Sequence, residues 1–392
     1  MTGPIHERGE GSTRAGVRVS IRGWSGGANT VRRTPAVWLV GLVGFSIGLA
    51  VVLRLLIPGD MDPTMFLTIG REKPVQKEYA ERLLGRVDTR PGAGHDGKFF
   101  FAQANDPWYL DPEQHAEVLD RPFYRAGRML YPLIAGGFGL FPPGIVVWSL
   151  VIINLLGLGA GTLIAAKLAR AWSVSPWLGL AVALNVGLLY EVAIDGSGVV
   201  AYACCLAGVY AVVRERPWLA GSAFAAAALS REVMVAFALG VFILAWLELR
   251  RPLWHIVIAP AVALAAWWTY LGFRLNGVSG TGGAPRLFSP PFIGILQALR
   301  SWIAEPDAQV AFNAVLLIIV VAFTVLAPRS RLPIAWGALP FVAMAMVLSV
   351  DVWLEPFDFS RALAPVFTAA PFLLAVSRRG TVRTLEPEME ET

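Results

Sequence analysis

The chain has 392 residues, 56% of them hydrophobic and only 16% charged. A soluble globular chain carries nearer one quarter charged residues, so composition excludes a soluble enzyme and points to a polytopic integral membrane protein. The net charge is +5, and all but four of the 33 basic residues are arginine; they mostly flank apolar segments, which is a topology signal and not a nucleic-acid footprint.

Residues 1–34 carry Arg8, Arg14, Arg18, Arg22, Arg32 and Arg33 among Gly, Ser and Thr. Without apolar periodicity they are expected to form a disordered basic cytoplasmic tail. The apolar run from Pro35 to Ile57 is too long and begins too late for a cleaved signal peptide, and is expected to be a first span. Further spans are predicted near 144–169, 176–191, 196–213, 217–229, 233–249, 253–272, 309–327, 332–350 and 361–377. Every second junction is basic: Lys167 and Arg170, Arg214 and Arg216, Arg250 and Arg251, Arg329 and Arg331, Arg378 and Arg379. Basic junctions face the cytoplasm, so the predicted fold is all-α, with about ten transmembrane helices and both termini cytoplasmic. Residues 35–377 then form one transmembrane domain, followed by a cytoplasmic tail over 378–392.

The opposite junctions hold Glu191 and Asp195, Arg231 and Glu232, a Gly/Pro-rich stretch 273–308, and Asp351, Glu355 and Asp358 leading to Arg361. These are expected outside. So is a loop over 58–143 between the first two spans, which is far longer than an ordinary connection and therefore expected to be functional, with short amphipathic helices. Tyr131 to Phe141 is too short to span and reads as an interfacial or re-entrant helix. Cys204 and Cys205, adjacent in an apolar run, read as small core hydrophobes.

The long loop contains His95-Asp96-Gly97-Lys98-Phe99-Phe100-Phe101-Ala102, then Asn105-Asp106-Pro107, then Asp120-Arg121-Pro122-Phe123-Tyr124-Arg125-Ala126-Gly127-Arg128-Met129-Leu130-Tyr131-Pro132. A carboxylate beside a glycine and ahead of three phenylalanines suits either a partly desolvated general base at a membrane face or a cap for the following helix. Arg128, Arg231 and Arg361 stand among apolar residues, where an unpaired charge is costly. They are candidates either for contacting a phosphate bidentately or for internal pairing, Arg231 with Glu232 or Glu191 and Arg361 with Asp358. Arg121 and Arg125 are expected in solvent or on lipid headgroups.

The order of these motifs resembles bacterial membrane proteins of the GT-C glycosyltransferase superfamily. Ala228-Leu229-Ser230-Arg231-Glu232 is similar to their Leu-Thr/Ser-Arg/Lys-Glu segment, and Ser360-Arg361-Ala362-Leu363-Ala364-Pro365 resembles their late Arg-x-Leu-x-Pro segment. The resemblance implies a transferase using a polyprenyl-phosphate sugar at the outer face of a bacterial plasma membrane. In such an enzyme a first-loop acid is the base on an extracytoplasmic glycan, lipid or protein acceptor, and lipid phosphate leaves with inversion. Asp96 is the expected base, with Asp60 and Asp62 as rivals that also read as a solvated turn between Gly59 and Pro63. Arg128, Arg231 and Arg361 would hold the phosphate, and His95, Glu232, Asp106 and Tyr124 would support these groups or meet the acceptor.

One histidine among scattered acids lacks metal-ligand spacing, so no metal and no tightly bound cofactor is expected. No phosphate-cradling glycine motif supports a nucleotide sugar or ATP. The stretch from Asn276 to Ser289 around Arg286 reads either as a flap over the site or as a plain loop. The rival from another class is a transporter or flippase of a lipid-linked or anionic solute, whose arginines would bind cargo. A lipid-binding partner in an envelope assembly is the third.

Overall fold

In a computed structural model of the chain, residues 37–250, 252–278 and 287–383 are described. The predicted tail over 1–34, the end of the tail beyond 383, and the centre of the 276–289 loop with Arg286 lie outside these residues. The described chain is all-helical, with no strand and only isolated bridges such as Ile69 to Gly94. The helices are α1 (Val37–Leu56), α2 (Pro74–Leu84), α3 (Gly97–Asn105), α4 (Pro112–Val118), α5 (Pro122–Ala126), α6 (Leu130–Ala135), α7 (Pro143–Ala171), α8 (Leu180–Ala183), α9 (Val186–Ala193) and α10 (Gly198–Val213). They continue with α11 (Pro217–Ser230), α12 (Met234–Leu249), α13 (His255–Arg274), α14 (Ile293–Ala304), α15 (Ala308–Leu326), α16 (Pro333–Ala345), α17 (Val350–Leu354), α18 (Pro356–Ala362) and α19 (Ala364–Arg383).

Four helices are long and apolar enough to cross a membrane, α1, α7, α13 and α15, and the number is six if the bent pairs ending in α9 and α19 each form one span. The other predicted spans coincide with α10, α11, α12 and α16, which hold 13 to 16 residues each. At 1.5 Å per residue these rise about 20 to 24 Å, short of a hydrocarbon core of roughly 30 Å. The exposed faces of the long helices carry Trp38, Leu42, Ile152, Leu156, Val262, Ile318 and Val321, the apolar exterior that lipid requires.

Several boundaries differ from those the sequence predicts. The segment 176–191 is broken at Asn185, with a bend of 48° between its halves. The Asn185 side chain accepts from the backbone N–H of Leu188 and donates to the Ala364 carbonyl and the Thr368 hydroxyl, so the break is capped and tied to α19. The last segment is likewise bent, by 67°, between α18 and α19, and α19 runs on to Arg383, past the predicted end at 377. Within the stretch 273–308, α14 buries Gly294, Ala298 and Trp302 and exposes Ile293, Leu296 and Ile303, a helix that its Gly/Pro-rich flanks conceal in the sequence. Of Tyr131 to Phe141, only the first turn and a half is α-helix, within α6; a 3-10 turn over Gly137–Gly139 follows.

The 58–143 region has its own core. Leu67, Ile69, Tyr79, the three phenylalanines Phe99 to Phe101, Tyr109 and Tyr131 pack together and onto Val147 and Leu150 of α7 and Trp267 and Leu271 of α13. The region is clamped to the bundle by α13: Trp267 donates to the Ala126 carbonyl, Tyr270 to that of Trp108, and Arg274 to that of Tyr109. The loop is therefore a folded cap on one end of the bundle, held by apolar burial and by side chains that satisfy its irregular backbone.

Candidate functional site

At this cap, residues from five separate stretches meet. Asp96 sits where the chain enters α3, and Gly97 makes that placement possible: a Cβ there would come within 2.5 Å of the Phe66 carbonyl oxygen and 2.8 Å of that of Ile194. Only glycine lets α3 start so close to two other backbones. The buried Lys98 ammonium donates to the carbonyls of Ala93 and His95 and closes the preceding turn. Burial, only partly offset by Asp96, lowers its pKa to about 8. Asp96 holds the position of a helix cap, yet its side chain makes no capping bond. Its carboxylate is directed to arginines instead.

Arg125 of α5 donates from Nη1 to Asp96 Oδ1 at 2.7 Å. The Nη1 atoms of Arg128 and Arg361 stand 3.8 and 3.7 Å from Asp96 Oδ2, an electrostatic distance but too long for a hydrogen bond. Burial works to raise the Asp96 pKa and is outweighed by Arg125, Arg361 and Arg128, which hold the carboxyl well below the usual range.

Around this centre the network extends without a break. Arg125 is forked onto Asp120 at 2.8 and 3.0 Å. Arg128 is forked onto Glu232 at 3.1 and 3.2 Å and donates to the Tyr124 hydroxyl at 2.5 Å. Burial of Glu232 is likewise outweighed by Arg128, so this carboxyl also titrates below its ordinary value. Arg231 reaches Glu191 at 2.7 Å, and Arg361 reaches Glu191 at 3.5 Å and Asp358 at 3.2 Å. Arg121 completes the set 3.7 Å from Asp120. Five arginines and five carboxylates thus form one connected, charge-balanced cluster of partly buried side chains.

The bent helices bring its far side together. A Cβ on Gly187 of α9 would lie 2.4 Å from the carbonyl carbon and oxygen of Ser360, so glycine alone allows α9 to lie directly on the α18 backbone. Four residues on, one turn along the same helix face, Glu191 then meets Arg361. Glu191 Oε2 also accepts from the Gly198 N–H at the start of α10.

On one flank of the cluster opens a cleft of about 450 Å³ whose walls include Phe123, Tyr124 and Trp268, with Arg121 and Glu232 at its polar edge. Also beside the cluster, His95 Nε2 lies 2.8 Å from the Tyr190 hydroxyl, and Tyr190 stacks on Phe357. Burial and then Arg361 lower the His95 pKa, which keeps the imidazole neutral at neutral pH.

The structure gathers Asp96, Arg128, Arg231, Arg361, Glu232, Tyr124 and His95 at one place. It does not bring Asp60 or Asp62 there. Asp60 is exposed with a left-handed backbone after a 3-10 turn, and Asp62 caps the next turn by accepting from the N–H and hydroxyl of Thr64, both at 2.8 Å. Asp106 lies apart as well. Its carboxylate accepts from the Asp111 N–H and pairs with buried His115 at 3.1 Å; these contacts outweigh burial and lower its pKa to about 2. It organises the α3 to α4 connection.

Arg125, expected in solvent, is instead the cation nearest Asp96. Asp120 holds it there, five residues earlier and across the turn into α5, and its guanidinium lies 4.2 Å from the centre of the Phe99 ring. Asp195 is fully buried with both carboxyl oxygens unpartnered, burial pushes its pKa well up, and it takes no part in the ion-pair cluster. Among the described residues no group of three or more His, Cys, Asp or Glu is arranged to hold a metal ion.

No known protein family, curated protein or solved structure matches this chain. The site therefore rests on its own geometry.

Proposed function

We propose that the protein is a membrane glycosyltransferase that moves a sugar from a polyprenyl-phosphate donor to an acceptor hydroxyl. The observation that carries this reading is a single carboxylate, Asp96, ringed by three guanidinium groups beside an apolar-walled cleft. Arg125 holds Oδ1, and Oδ2 faces two guanidinium nitrogens too distant to bond it directly. An acceptor hydroxyl on Oδ2, with phosphate oxygens against Arg128 and Arg361, satisfies all these groups together.

The acceptor oxygen attacks the anomeric carbon from the face opposite the phosphate. Its proton passes to Asp96, the bond from that carbon to the phosphate oxygen breaks, and the phosphate keeps the electron pair, so the configuration inverts. A carboxylate held by three arginines is ionised but weakly basic. Donor phosphate drawing Arg128 and Arg361 toward itself raises that basicity when substrate is in place. The cleft at Phe123, Tyr124 and Trp268 suits the first isoprene units of the donor.

The reading places the cluster at the extracytoplasmic face of a bacterial plasma membrane, in a chain with ten crossings and both termini cytoplasmic. In its favour are helices at all ten apolar segments and the meeting of the junctions at Glu191, Arg231 with Glu232, and Arg361 with the 58–143 loop in one cluster. Glycan, lipid and protein acceptors all fit this chemistry.

The test is release of polyprenyl phosphate from radiolabelled polyprenyl-phosphate sugars by protein in lipid nanodiscs, with crude envelope as acceptor. Asp96→Asn is expected to reduce turnover by about 10²- to 10⁴-fold. Equal turnover by the variant overturns the assignment of the base.

A second reading, a transporter or flippase of a lipid-linked solute, is favoured by the two bent helix pairs, since interrupted helices build many transport sites. Donor lipid crossing the bilayer of proteoliposomes without sugar transfer would establish it.

A further inference from the structure

Beside the cluster stand the aromatic side chains of Tyr190 and Phe357. Phe357 of α18 remains 48% exposed, while Phe359, two residues on, is fully buried. The Phe357 ring stacks on Tyr190 with centroids 4.9 Å apart and planes 22° from parallel, so one ring face is covered while nearly half of the side chain stays exposed. Tyr190 is itself fixed. Its hydroxyl is bonded to His95, and the two rings meet edge to face at 5.5 Å. His95 precedes Asp96 in the chain and lies within the electrostatic reach of Asp96, Arg361 and Asp358.

An exposed phenylalanine at the margin of a membrane protein is ordinarily explained by lipid. Here the neighbouring side chains argue against an acyl chain. Phe357 is followed by Asp358, whose side chain is 37% exposed, and preceded by the exposed Glu355. Glu355, Asp358, Arg361 and Arg90 all act electrostatically on the Tyr190 hydroxyl. An acyl chain on this face would remove those charges from water without replacing their hydrogen bonds. A pyranose ring satisfies both requirements, because its C–H face covers an aromatic ring and its hydroxyls both donate to carboxylates and accept from guanidinium and imidazole N–H groups.

We propose that Phe357, backed by Tyr190 and His95, is a platform on which a pyranose ring of the acceptor stacks, which makes the acceptor a carbohydrate. The word acceptor rests on the transferase reading; the carbohydrate site does not. The stack and the hydrogen bond beneath it hold the platform in one geometry, which lowers the ordering cost of binding.

The experiment is binding of neutral methyl pyranosides and hexose disaccharides to the full-length protein in nanodiscs, by saturation-transfer NMR and titration, for wild type, Phe357→Ala, Phe357→Trp and Asp96→Asn. Wild type is expected to bind at least one saccharide. Phe357→Ala should weaken that binding by about tenfold, the loss of one aromatic stack. Phe357→Trp should keep it, and Asp96→Asn, which removes an acceptor contact, serves only the turnover measurement below. No binding by wild type, or equal binding by Phe357→Ala, overturns the platform.

Turnover is measured separately. Saccharide binding that depends on Phe357 without turnover of any donor would sink the transferase reading and leave a carbohydrate-binding site. Turnover lost in Asp96→Asn with saccharide binding indifferent to Phe357 would do the reverse.

Discussion

At one end of the bundle, five arginines and five carboxylates are pressed into one connected network whose members come from residues 96 to 361. At the other, Arg331 meets Glu248 at 3.1 Å with its own side chain 78% exposed, and Lys167 lies over the rings of Trp38 and Tyr210. The two ends use the same residue types for different purposes. Exposed ion pairs contribute about 0 to 1 kcal/mol and chiefly orient a chain in the bilayer. A network drawn out of water carries a desolvation penalty that stability alone does not justify, and such groups are retained where a charged ligand or a reaction uses them.

This difference can be broken experimentally, most severely at Gly187. Gly187→Ala is expected to push α9 off α18, displace Glu191 from Arg361, and lower transfer activity by about 10²-fold through misplacement of the phosphate-binding groups. Activity unchanged in the alanine variant would show that the contact is dispensable. Arg231→Met should cost about 3 kcal/mol by leaving the Glu191 carboxylate, only 3% exposed, without its closest partner. Denaturant unfolding in mild detergent reads this, and Glu191→Gln in the same background should recover part of the loss.

The third prediction concerns pH. Asp106 titrates in the folded protein at about 2, below its ordinary value, so its contribution to stability is fully present above about pH 4 and is lost as pH falls toward 2. Asp96 and Glu232 are shifted in the same direction. Thermal unfolding should therefore weaken steeply between about pH 4 and 2, and Asp106→Asn should flatten that slope. The smallest effect belongs to the other end: Arg331→Ala should change stability by less than about 1 kcal/mol and leave turnover unaltered. A loss comparable to that of Arg231→Met would erase the distinction between the ends.

Part of this site was legible in the chain. Asp96 stood out because a carboxylate next to glycine precedes three aromatics, and Arg128, Arg231 and Arg361 because charges among apolar residues demand partners. Asp106, named only through the family resemblance, is not brought to the cluster, since His115 and the Asp111 N–H engage it locally. Asp60 and Asp62 lie outside the cluster because both belong to short turns, where the Asp62 carboxylate is taken up by Thr64. Arg125 was misread as solvated for want of any local sign that Asp120 and Asp96 flank it from opposite sides. Asp120 lay in a recognised motif, but its tie to Arg125 depends on how the chain turns into α5. Tyr190 and Phe357 carry no sequence signal at all, because an aromatic residue in an apolar helix looks the same whether it packs in a core or borders a site.

What the sequence determined by itself is what depends on composition and period: membrane residence, helices throughout, and the alternation of basic and acidic junctions. These follow from hydrocarbon thickness and the cost of unpaired backbone, which act on each segment separately. What only the tertiary structure decided is which junctions touch, where two segments bend, and which carboxylate the arginines surround. Those depend on close backbone approaches at Gly97 and Gly187 and on the Asn185 tie to α19, contacts between stretches up to 183 residues apart. Such contacts leave no period in the chain, because their energy is realised only when the distant partner is already in place.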